Sequence, residues 1–358
     1  MSVFRLLVVE DDDQDLAVCR DTVKRYKEEQ EREVELVECR SVKEAFEKLD
    51  NTFDGAIIDL RLDNCGCGGC QVVSRIKESC FRMPVVILTG TPDAIDQSPD
   101  YYIKVFKKGD PGAGYDDLLN FFWGIYNAGL TRIMGGRGAI EERLREVFEK
   151  NILPQIQKWV EYGKKDSVRT ERALLRHTLN HLLQLLDDNE DKFFPEEMYL
   201  CPPLSDKIRT GSIVKQNDGR WFVVMNPACD LVIRKEGACK TDRILIVEID
   251  SCSSWFPGCS ETERSKKSQE KELEKAYKNN KYAYLHCLHK TDFFEGGFLN
   301  FRKISSLSID EFKNSFEKPK VQISPYFVKD MVARFSAYYA RQGQPDIDLE
   351  VVQTKSSQ

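Results

Sequence analysis

The 358-residue sequence lacks any apolar run long enough to cross a membrane, and its first residues predict a strand rather than a signal peptide. It also lacks an excess of positive charge, because 53 basic residues stand against 59 acidic ones. The net charge of -6 gives no electrostatic footprint for nucleic acid, and no helix-turn-helix pattern stands out. We therefore expect a cytoplasmic protein that has neither a membrane nor a nucleic acid as its partner.

Histidine is scarce in this chain, with four residues, whereas cysteine occurs twelve times. Without a secretion signal, the cysteines are predicted to be free thiols in a reducing compartment. Cys65, Cys67 and Cys70 lie on one glycine-rich loop, with Cys80 further on. Three thiols at this spacing could bind zinc or sense oxidants, yet a complete zinc site needs a fourth ligand. A loop without a function is the interpretation that we favour.

Four short apolar runs each end in polar residues. Runs without polar alternation predict strands that are buried on both faces, as in a parallel sheet covered by helices. Parallel strands bring their C-terminal ends to one edge of the sheet, where crowded carboxylates would attract a hard cation such as Mg²⁺. A lysine and a threonine at the same edge would suit a bound phosphoryl group. The runs and the residues that follow them are 4–9 with Glu10 and Asp11, 55–58 with Asp59, 84–88 with Thr89, and 102–106 with Lys107 and Lys108.

In their order and spacing, these residues resemble the receiver domain of bacterial response regulators over about residues 1–128. The resemblance implies a flavodoxin-like, doubly wound parallel sheet in which Asp59 accepts a phosphoryl group from a kinase histidine. It also implies that Asp11 and Asp59 bind Mg²⁺ directly, that Glu10 acts through water, and that the backbone carbonyl of Arg61 completes the protein ligands. An ordinary flavodoxin-like domain with incidental acids is the alternative.

The resemblance further implies that Thr89 and a lysine hold the phosphoryl oxygens. The family's lysine usually precedes a proline, and no Lys-Pro pair occurs at this place. Lys108 fits the family's spacing from Thr89 best. Lys107 is the alternative, and Lys104 is a more distant one.

Beyond the receiver, glycines between residues 129 and 138 predict a boundary. Residues 139–190 then contain two stretches with the apolar spacing of amphipathic helices, which predict an antiparallel helical hairpin. Such a hairpin buries little by itself, so we expect it to pack on another domain or to form a homodimer. Prolines and short apolar runs over residues 196–345 predict a small β-rich domain, either an antiparallel barrel or an open sheet, with helical insertions. Residues 346–358 predict a disordered tail.

Two further patterns could carry chemistry. His177 and His181 lie one helical turn apart, which suits a metal pair or phosphate transfer, although two polar helix residues without a function are the interpretation that we favour. Cys229 precedes Asp230 and would need His286 or His289 as a base to act as a nucleophile; a buried structural cysteine, with Asp230 bonding its turn, is favoured. The patterns at residues 209–212 and 227–231 resemble output regions that are joined to divergent receivers in bacterial anti-phage gene clusters.

Together these features predict a phosphorylation-regulated signalling protein with a histidine kinase as its partner. The signal would pass through an output domain that does not bind DNA to a downstream effector protein, in a setting that includes phage defence. No enzymatic activity is expected beyond phosphotransfer to Asp59 and hydrolysis from it. The alternatives are an enzyme that uses Cys229 and is gated by the receiver, and a phosphate sink or adaptor.

Overall fold

The computed structural model describes residues 3–62, 66–90, 104–184, 192–232, 239–255 and 271–341. Internal contacts divide the chain into two compact units, residues 1–189 and 190–358. Among the described residues, no helix is both long and apolar enough to span a bilayer. The predicted tail, residues 346–358, and the last residues of the predicted hairpin lie outside the described ranges.

The first unit contains a five-stranded parallel sheet with the strand order β2-β1-β3-β4-β5. This is the order of flavodoxin-like folds, so the predicted fold class is confirmed for this part of the chain. The strands are β1 (Phe4–Val9), β2 (Val34–Cys39), β3 (Gly55–Ile58), β4 (Val85–Thr89) and β5 (Lys104–Lys107). The helices that flank the sheet are α1 (Asp13–Gln30), α2 (Val42–Lys48), α3 (Gly68–Glu78) and α4 (Tyr115–Asn127).

The central strands are buried on both faces because successive side chains point to opposite sides of the sheet. Leu6 and Val8 of β1 pack in one core with Phe122 of α4, and the same core includes Leu16 of α1. Leu7 and Val9 pack on the other side in a second core, which includes Val72 and Ile76 of α3. The unbroken apolar runs in the sequence reflect these two cores.

A helical region follows the sheet within the first unit. Its elements are α5 (Leu130–Met134), α6 (Ala139–Val147), a π-helical turn (Phe148–Ile152), a 3-10 turn (Leu153–Gln155), α7 (Ile156–Lys165) and α8 (Ser167–Gln184). Helices α7 and α8 pack together as the predicted hairpin. The first long helix is interrupted at residues 148–155, where Pro154 cannot donate a helical hydrogen bond.

The glycine-rich stretch between α5 and α6 is held against the sheet domain. The backbone N–H of Gly136 donates to the carbonyl of Asn51 at 3.0 Å. The guanidinium of Arg137 forms an ion pair with the buried Asp54 at 2.8 Å. A side chain at Gly136 would collide with Asn51, which explains why glycine is needed there. The stretch therefore makes specific contacts that its composition does not suggest.

The second unit is β-rich, as the sequence predicts, and contains a seven-stranded antiparallel sheet with the order β10-β11-β9-β8-β7-β12-β6. No pairing between β10 and β6 closes a barrel among the described residues. The strands are β6 (Tyr199–Leu200), β7 (Ser212–Lys215), β8 (Trp221–Val224), β9 (Arg243–Asp250), β10 (Leu285–Leu288), β11 (Gly297–Ser308) and β12 (Val321–Ile323). The helices are α9 (Ala228–Leu231), α10 (Cys252–Trp255), α11 (Ile309–Ser315) and α12 (Pro325–Ala340), with a 3-10 turn at Pro195–Met198.

Helix α12 packs on the sheet of the second unit. Met331 is fully buried, and the ring of Phe335 contacts that of Phe301 with 5.4 Å between the ring centroids. Strand β11 bends where its register with β9 shifts between Leu299 and Ile304. Such an irregularity increases the local twist, so one long strand can pair with β10 at one end and β9 along its length.

Candidate functional site

Three carboxylates meet at the C-terminal edge of the parallel sheet. Glu10 follows β1 and Asp59 follows β3, and the backbone N–H of Asp59 donates to the carbonyl of Val9 at 2.9 Å. Glu10, Asp11 and Asp59 each offer a carboxylate oxygen, and these oxygens lie within 4.8 Å of one another. Glu10 and Asp59 are buried, whereas Asp11 is exposed. The parallel register of adjacent strands thus brings the acids together.

The next acid along the chain has a different role. The Asp12 carboxylate caps α1 by accepting hydrogen bonds from the backbone N–H groups of Gln14 at 2.7 Å and Asp15 at 3.2 Å. The backbone N–H of Asp12 donates to Glu10 Oε1 at 3.2 Å. Asp12 therefore fixes the start of α1 through its side chain. Its backbone N–H holds the Glu10 carboxylate in place.

A single lysine ammonium group lies between the acids. Lys108 Nζ is 2.9 Å from Asp59 Oδ2, 2.6 Å from Glu10 Oε2 and 2.6 Å from Asp15 Oδ2. The backbone N–H of Lys108 donates to the carbonyl of Thr89 at 2.9 Å, which places the residue directly beyond the end of β5. Lys107 ends β5 and is exposed, and Lys104 Nζ lies over the ring of Phe106 at 4.6 Å. Of the three lysines, Lys108 is therefore the one in contact with Asp59.

Burial and charge change the proton affinities in this cluster. Burial raises the pKa of Glu10 to about 7, and its contact with Lys108 offsets this only in part because the lysine is shared among three carboxylates. Burial would lower the pKa of Lys108, but hydrogen bonds to Asp15, Glu10 and Asp59 raise it overall. The lysine therefore stays charged, while Glu10 gives up its proton near neutral pH.

The two remaining predicted site residues flank the cluster. Thr89 is the last residue of β4 and is fully buried. Arg61 is exposed, and its backbone N–H donates to Asp59 Oδ1 at 3.2 Å. Asp59 is thus held on one side by a backbone N–H and on the other by Lys108.

The donor set fits a hard divalent cation. Mg²⁺ is bound in proteins through one or two carboxylates and keeps several of its waters. Here two carboxylates of the cluster are buried and the third faces solvent, so a hydrated ion would find protein oxygens on one side and water on the other. Among the described residues, this is the one group of three or more acids, histidines or cysteines arranged to hold a metal ion.

The connection from Asp59 to α3 corrects one sequence prediction. Cys67 and Cys70 form a disulfide, so not all the cysteines are free thiols. The physical reason is local, because Cys67 is the N-cap of α3 and Cys70 lies in its first turn, with Cα atoms 5.3 Å apart. Helix α3 begins at Gly68, between the two bridged cysteines. Cys65 lies outside the described residues.

The histidine pair of α8 is close but gains no further ligand. His177 Nε2 and His181 Nε2 are 3.3 Å apart, and the ring of His177 also lies 5.7 Å from that of Trp159. The described residues offer no third donor to this pair.

The patterns around Cys229 have a structural role. Thr210 Oγ1 donates to the carbonyl of Asn226 at 2.6 Å, and the Asn226 side chain bonds the backbone of Arg243 and Leu245. These bonds tie the loop before β7 and the first residues of β9 to the segment that follows β8. Cys229 Sγ contacts Asp230 Oδ1 at 3.7 Å, and no hydrogen bond joins it to a histidine in the part of the chain that the structure describes. Cys229 is exposed, so the predicted burial of this cysteine is wrong. It lies in the short helix α9, which turns only Leu231 into the core.

Sequence reasoning missed two features. Asp15, which contacts Lys108, is not among the predicted site residues, although an acid shortly after the first strand was a usable signal. In the second unit, Asp250 accepts hydrogen bonds from Trp255 at 3.0 Å, Asn300 at 2.9 Å and Lys303 at 2.6 Å. That network joins residues far apart in the chain, so no local pattern indicates it.

Among known proteins, the chain is similar to solved structures over its N-terminal third. No family model and no curated protein sequence matches the chain. A CheY-like response regulator receiver domain protein from Methanospirillum hungatei JF-1 is 19% identical and matches 36% of this chain and 96% of its own, with a TM-score of 0.27. A receiver domain protein from Clostridium thermocellum is 20% identical over 35% of this chain and 96% of its own, with a TM-score of 0.28.

A third match is the signal receiver domain of the putative response regulator NarL from Mycobacterium tuberculosis. It is 17% identical over 35% of this chain and 99% of its own, with a TM-score of 0.28. The N-terminal third of the chain has a flavodoxin-like fold, which its strand order shows by itself.

Proposed function

We propose that this protein is a phosphorylation-regulated signalling protein in which Asp59 accepts a phosphoryl group from a histidine of a partner kinase. One observation carries the proposal. Asp59 lies beside Glu10 and Asp11 at the edge of the parallel sheet, with the ammonium group of Lys108 at 2.9 Å. This arrangement combines a nucleophile, a group of oxygen ligands and a fixed positive charge.

In the proposed reaction, a carboxylate oxygen of Asp59 attacks the phosphorus of the phosphohistidine. A P–O bond forms, the P–N bond breaks, and the electron pair of that bond returns to the imidazole nitrogen, which takes up a proton. Negative charge is spread over three phosphoryl oxygens during the transfer. Lys108 already contacts Asp59 and would turn to those oxygens, while the hydroxyl of Thr89, at the end of the neighbouring strand, would donate to another.

Glu10, Asp11, Asp59 and the backbone carbonyl of Arg61 are the groups that would hold Mg²⁺ at this edge. When bound, the ion would neutralise charge on the phosphoryl oxygens and on the acids. Lys108 would then be released from part of its present role, because its single charge is now shared among Glu10, Asp15 and Asp59.

The test of this function uses beryllofluoride, which mimics a phosphoryl group on a carboxylate. Together with Mg²⁺ it should raise the melting temperature of the full chain, because a ligand at 100 times its Kd stabilises the folded state by about 2.7 kcal/mol. Neither component alone should give the full shift. Equal melting temperatures with and without the two components would contradict the proposal. A protein that binds beryllofluoride but has no effector would be a phosphate sink.

The helical hairpin is the proposed homodimer contact. Leu175, Leu179 and Leu183 lie at spacings of four along α8 and are 61%, 48% and 60% exposed. A stripe of this kind normally packs against another helix. We expect Leu179→Glu to weaken dimerisation at least tenfold in sedimentation experiments. Val18→Glu is the matched control, since Val18 is an exposed apolar residue on α1. Dimers of equal stability in both variants would exclude this contact.

A downstream effector and a role in phage defence are the remaining parts of the proposal. They are supported by the resemblance of residues 209–212 and 227–231 to output regions of anti-phage gene clusters. In this chain those residues form hydrogen bonds that organise the ends of β7 and β8. Their contribution to an output would thus come through the shape of the second unit rather than through chemistry.

A further inference from the structure

The disulfide between Cys67 and Cys70 is placed where a partner could reach it. Both cysteines are partly exposed. They line a surface depression together with Phe46, Gln71 and Arg75. The sequence between them is Gly68-Gly69, so no side chain of the intervening residues covers the sulfur atoms.

Other cysteines of the chain are placed differently. Cys19, Cys39 and Cys287 are fully buried. Burial raises their pKa values to about 12, 11 and 12, respectively, so few of these thiols ionise at neutral pH. The pair at residues 67 and 70 instead lies at the start of an eleven-residue helix. The N-terminal end of a helix favours negative charge, including that of a thiolate.

The helix start that carries the pair packs directly on the backbone next to Asp59. The N–H of Gly69 donates to the carbonyl of Leu60 at 3.1 Å. A Cβ on Gly69 would lie only 2.0 Å from the carbonyl oxygen of Asp59, and one on Gly68 would lie 2.8 Å from that of Leu62. No gap remains between α3 and residues 59–62, so a shift of the first helical turn must move that backbone.

The disulfide also links the N-cap of α3 covalently to the first turn of the helix. Cys67 is the N-cap residue, and its side chain makes no capping hydrogen bond. Serine, threonine, asparagine or aspartate at this position normally accepts a bond from the first turn. Here the sulfur bridge connects the N-cap to the turn instead, so its cleavage would loosen the N-cap.

From these observations we propose that Cys67 and Cys70 form a reversible dithiol–disulfide couple that exchanges with a dithiol reductant, and that its redox state alters phosphoryl acceptance at Asp59. In the exchange, a thiolate of the reductant attacks one sulfur, a mixed disulfide forms, and the second reductant thiol resolves it. Two electrons and two protons pass to the cysteine pair, and the reductant becomes a disulfide. The effect on Asp59 rests on the function proposed above, whereas the exchange itself does not.

The first experiment measures the couple without phosphorylation. The full chain is equilibrated with reduced and oxidised dithiothreitol in different ratios, its thiols are alkylated, and the peptides are weighed. Cys67 and Cys70 should gain two alkyl groups together as the ratio becomes more reducing. Cys80 is exposed and unbridged, so it should be alkylated at every ratio. A pair that is alkylated under all conditions, or that forms bridges with other cysteines, would overturn the couple.

The second experiment measures the coupling to Asp59. The labelling rate with acetyl phosphate and Mg²⁺ should differ at least about fivefold between the oxidised and the reduced protein, the lower end of usual coupling strengths. The Cys67→Ser/Cys70→Ser variant should not respond to dithiothreitol, whereas Cys80→Ser should respond as the parent does. Equal rates in both redox states would overturn the coupling but leave the couple intact. Absence of labelling in both states would overturn the coupling together with the proposed function, again without affecting the alkylation result.

Discussion

Asp59→Asn should lower the incorporation of phosphate from acetyl phosphate at least a hundredfold while the fold stays intact. An amide oxygen is a far weaker nucleophile than a carboxylate oxygen, and loss of a nucleophile typically costs several orders of magnitude in rate. The size and shape of the side chain are unchanged. Its oxygen can still accept the hydrogen bond from the backbone N–H of Arg61, which is 3.2 Å long in the parent.

The fold should survive because the substitution removes one negative charge from a crowded cluster. Asp59 is one of the charges that raise the pKa of Glu10, so its neutralisation reduces repulsion. Lys108 keeps two partners, Glu10 and Asp15, each at 2.6 Å. Circular dichroism and the melting temperature should therefore remain close to those of the parent, and the loss of labelling can be assigned to chemistry.

Asp54→Asn is the matched control for this substitution. Asp54 is also a buried carboxylate, and it lies just before β3, whereas Asp59 follows the strand. It accepts a hydrogen bond from the backbone N–H of Arg5 at 3.0 Å and one from Arg137 at 2.8 Å. Its loss should reduce stability but not labelling of the folded protein. Labelling of Asp59→Asn at the parent's rate would show that another residue accepts the phosphoryl group.

The sheet of the first unit could be predicted because local signals agree with one another. Residues 4–9 are apolar except for Arg5, and the strand they predict has these same bounds in the structure. Acids follow β1 and β3, and adjacent parallel strands must then bring Glu10 and Asp59 together. The fold of this sheet and the proximity of Glu10 to Asp59 can therefore be predicted from the strand ends, without knowledge of contacts between distant residues.

Which lysine meets the acids could not be decided in the same way. Lys107 and Lys108 are neighbours, and a shift of one residue in the end of β5 reverses the direction of a side chain. In the structure, pairing of Lys107 with Thr89 ends the strand, and Lys108 follows it. The bridge between Cys67 and Cys70 was missed for a related reason, since it depends on α3 beginning at Gly68, and two consecutive glycines do not indicate the start of a helix.

In the second unit, His286 shows how burial can escape prediction. From the sequence it was a candidate base on a strand, and its exposure could not be judged without knowing which elements cover that strand. In the structure His286 pairs with Leu299 across β10 and β11 and is 1% exposed. Neither ring nitrogen has a hydrogen-bond partner among the described residues. A histidine in such surroundings is held neutral.

The buried imidazole should make the second unit sensitive to acid. Burial lowers the pKa of His286 from 6.5 to about 4; Asp330, whose Oδ2 lies 3.8 Å from Nδ1, opposes this, while Arg334 and His289 add to it. Asp330 is half-exposed and already bound by Arg334 at 2.8 Å, so its help is limited. As the pH falls below 6.5, His286 binds a proton in the unfolded chain but not in the folded protein. Stability is therefore fully present above pH 6.5 and is lost as the pH falls towards 4.

The expected loss is about 2 kcal/mol in the free energy of unfolding between pH 7 and pH 5, and about 3 kcal/mol by pH 4. Urea unfolding of the parent and of His286→Leu measures it, because leucine fills a similar space and cannot bind a proton. In the first unit, the pKa of Glu10 is raised to about 7, so this unit gains stability as the pH falls through the same range. Both proteins share Glu10, so the difference between them isolates His286.

The variant should match or exceed the parent's stability at pH 7, since it removes two buried polar atoms without partners, and its advantage should grow by about 2 kcal/mol at pH 5. An advantage that stays constant with pH would show that His286 binds a proton as readily in the folded protein as in the unfolded chain.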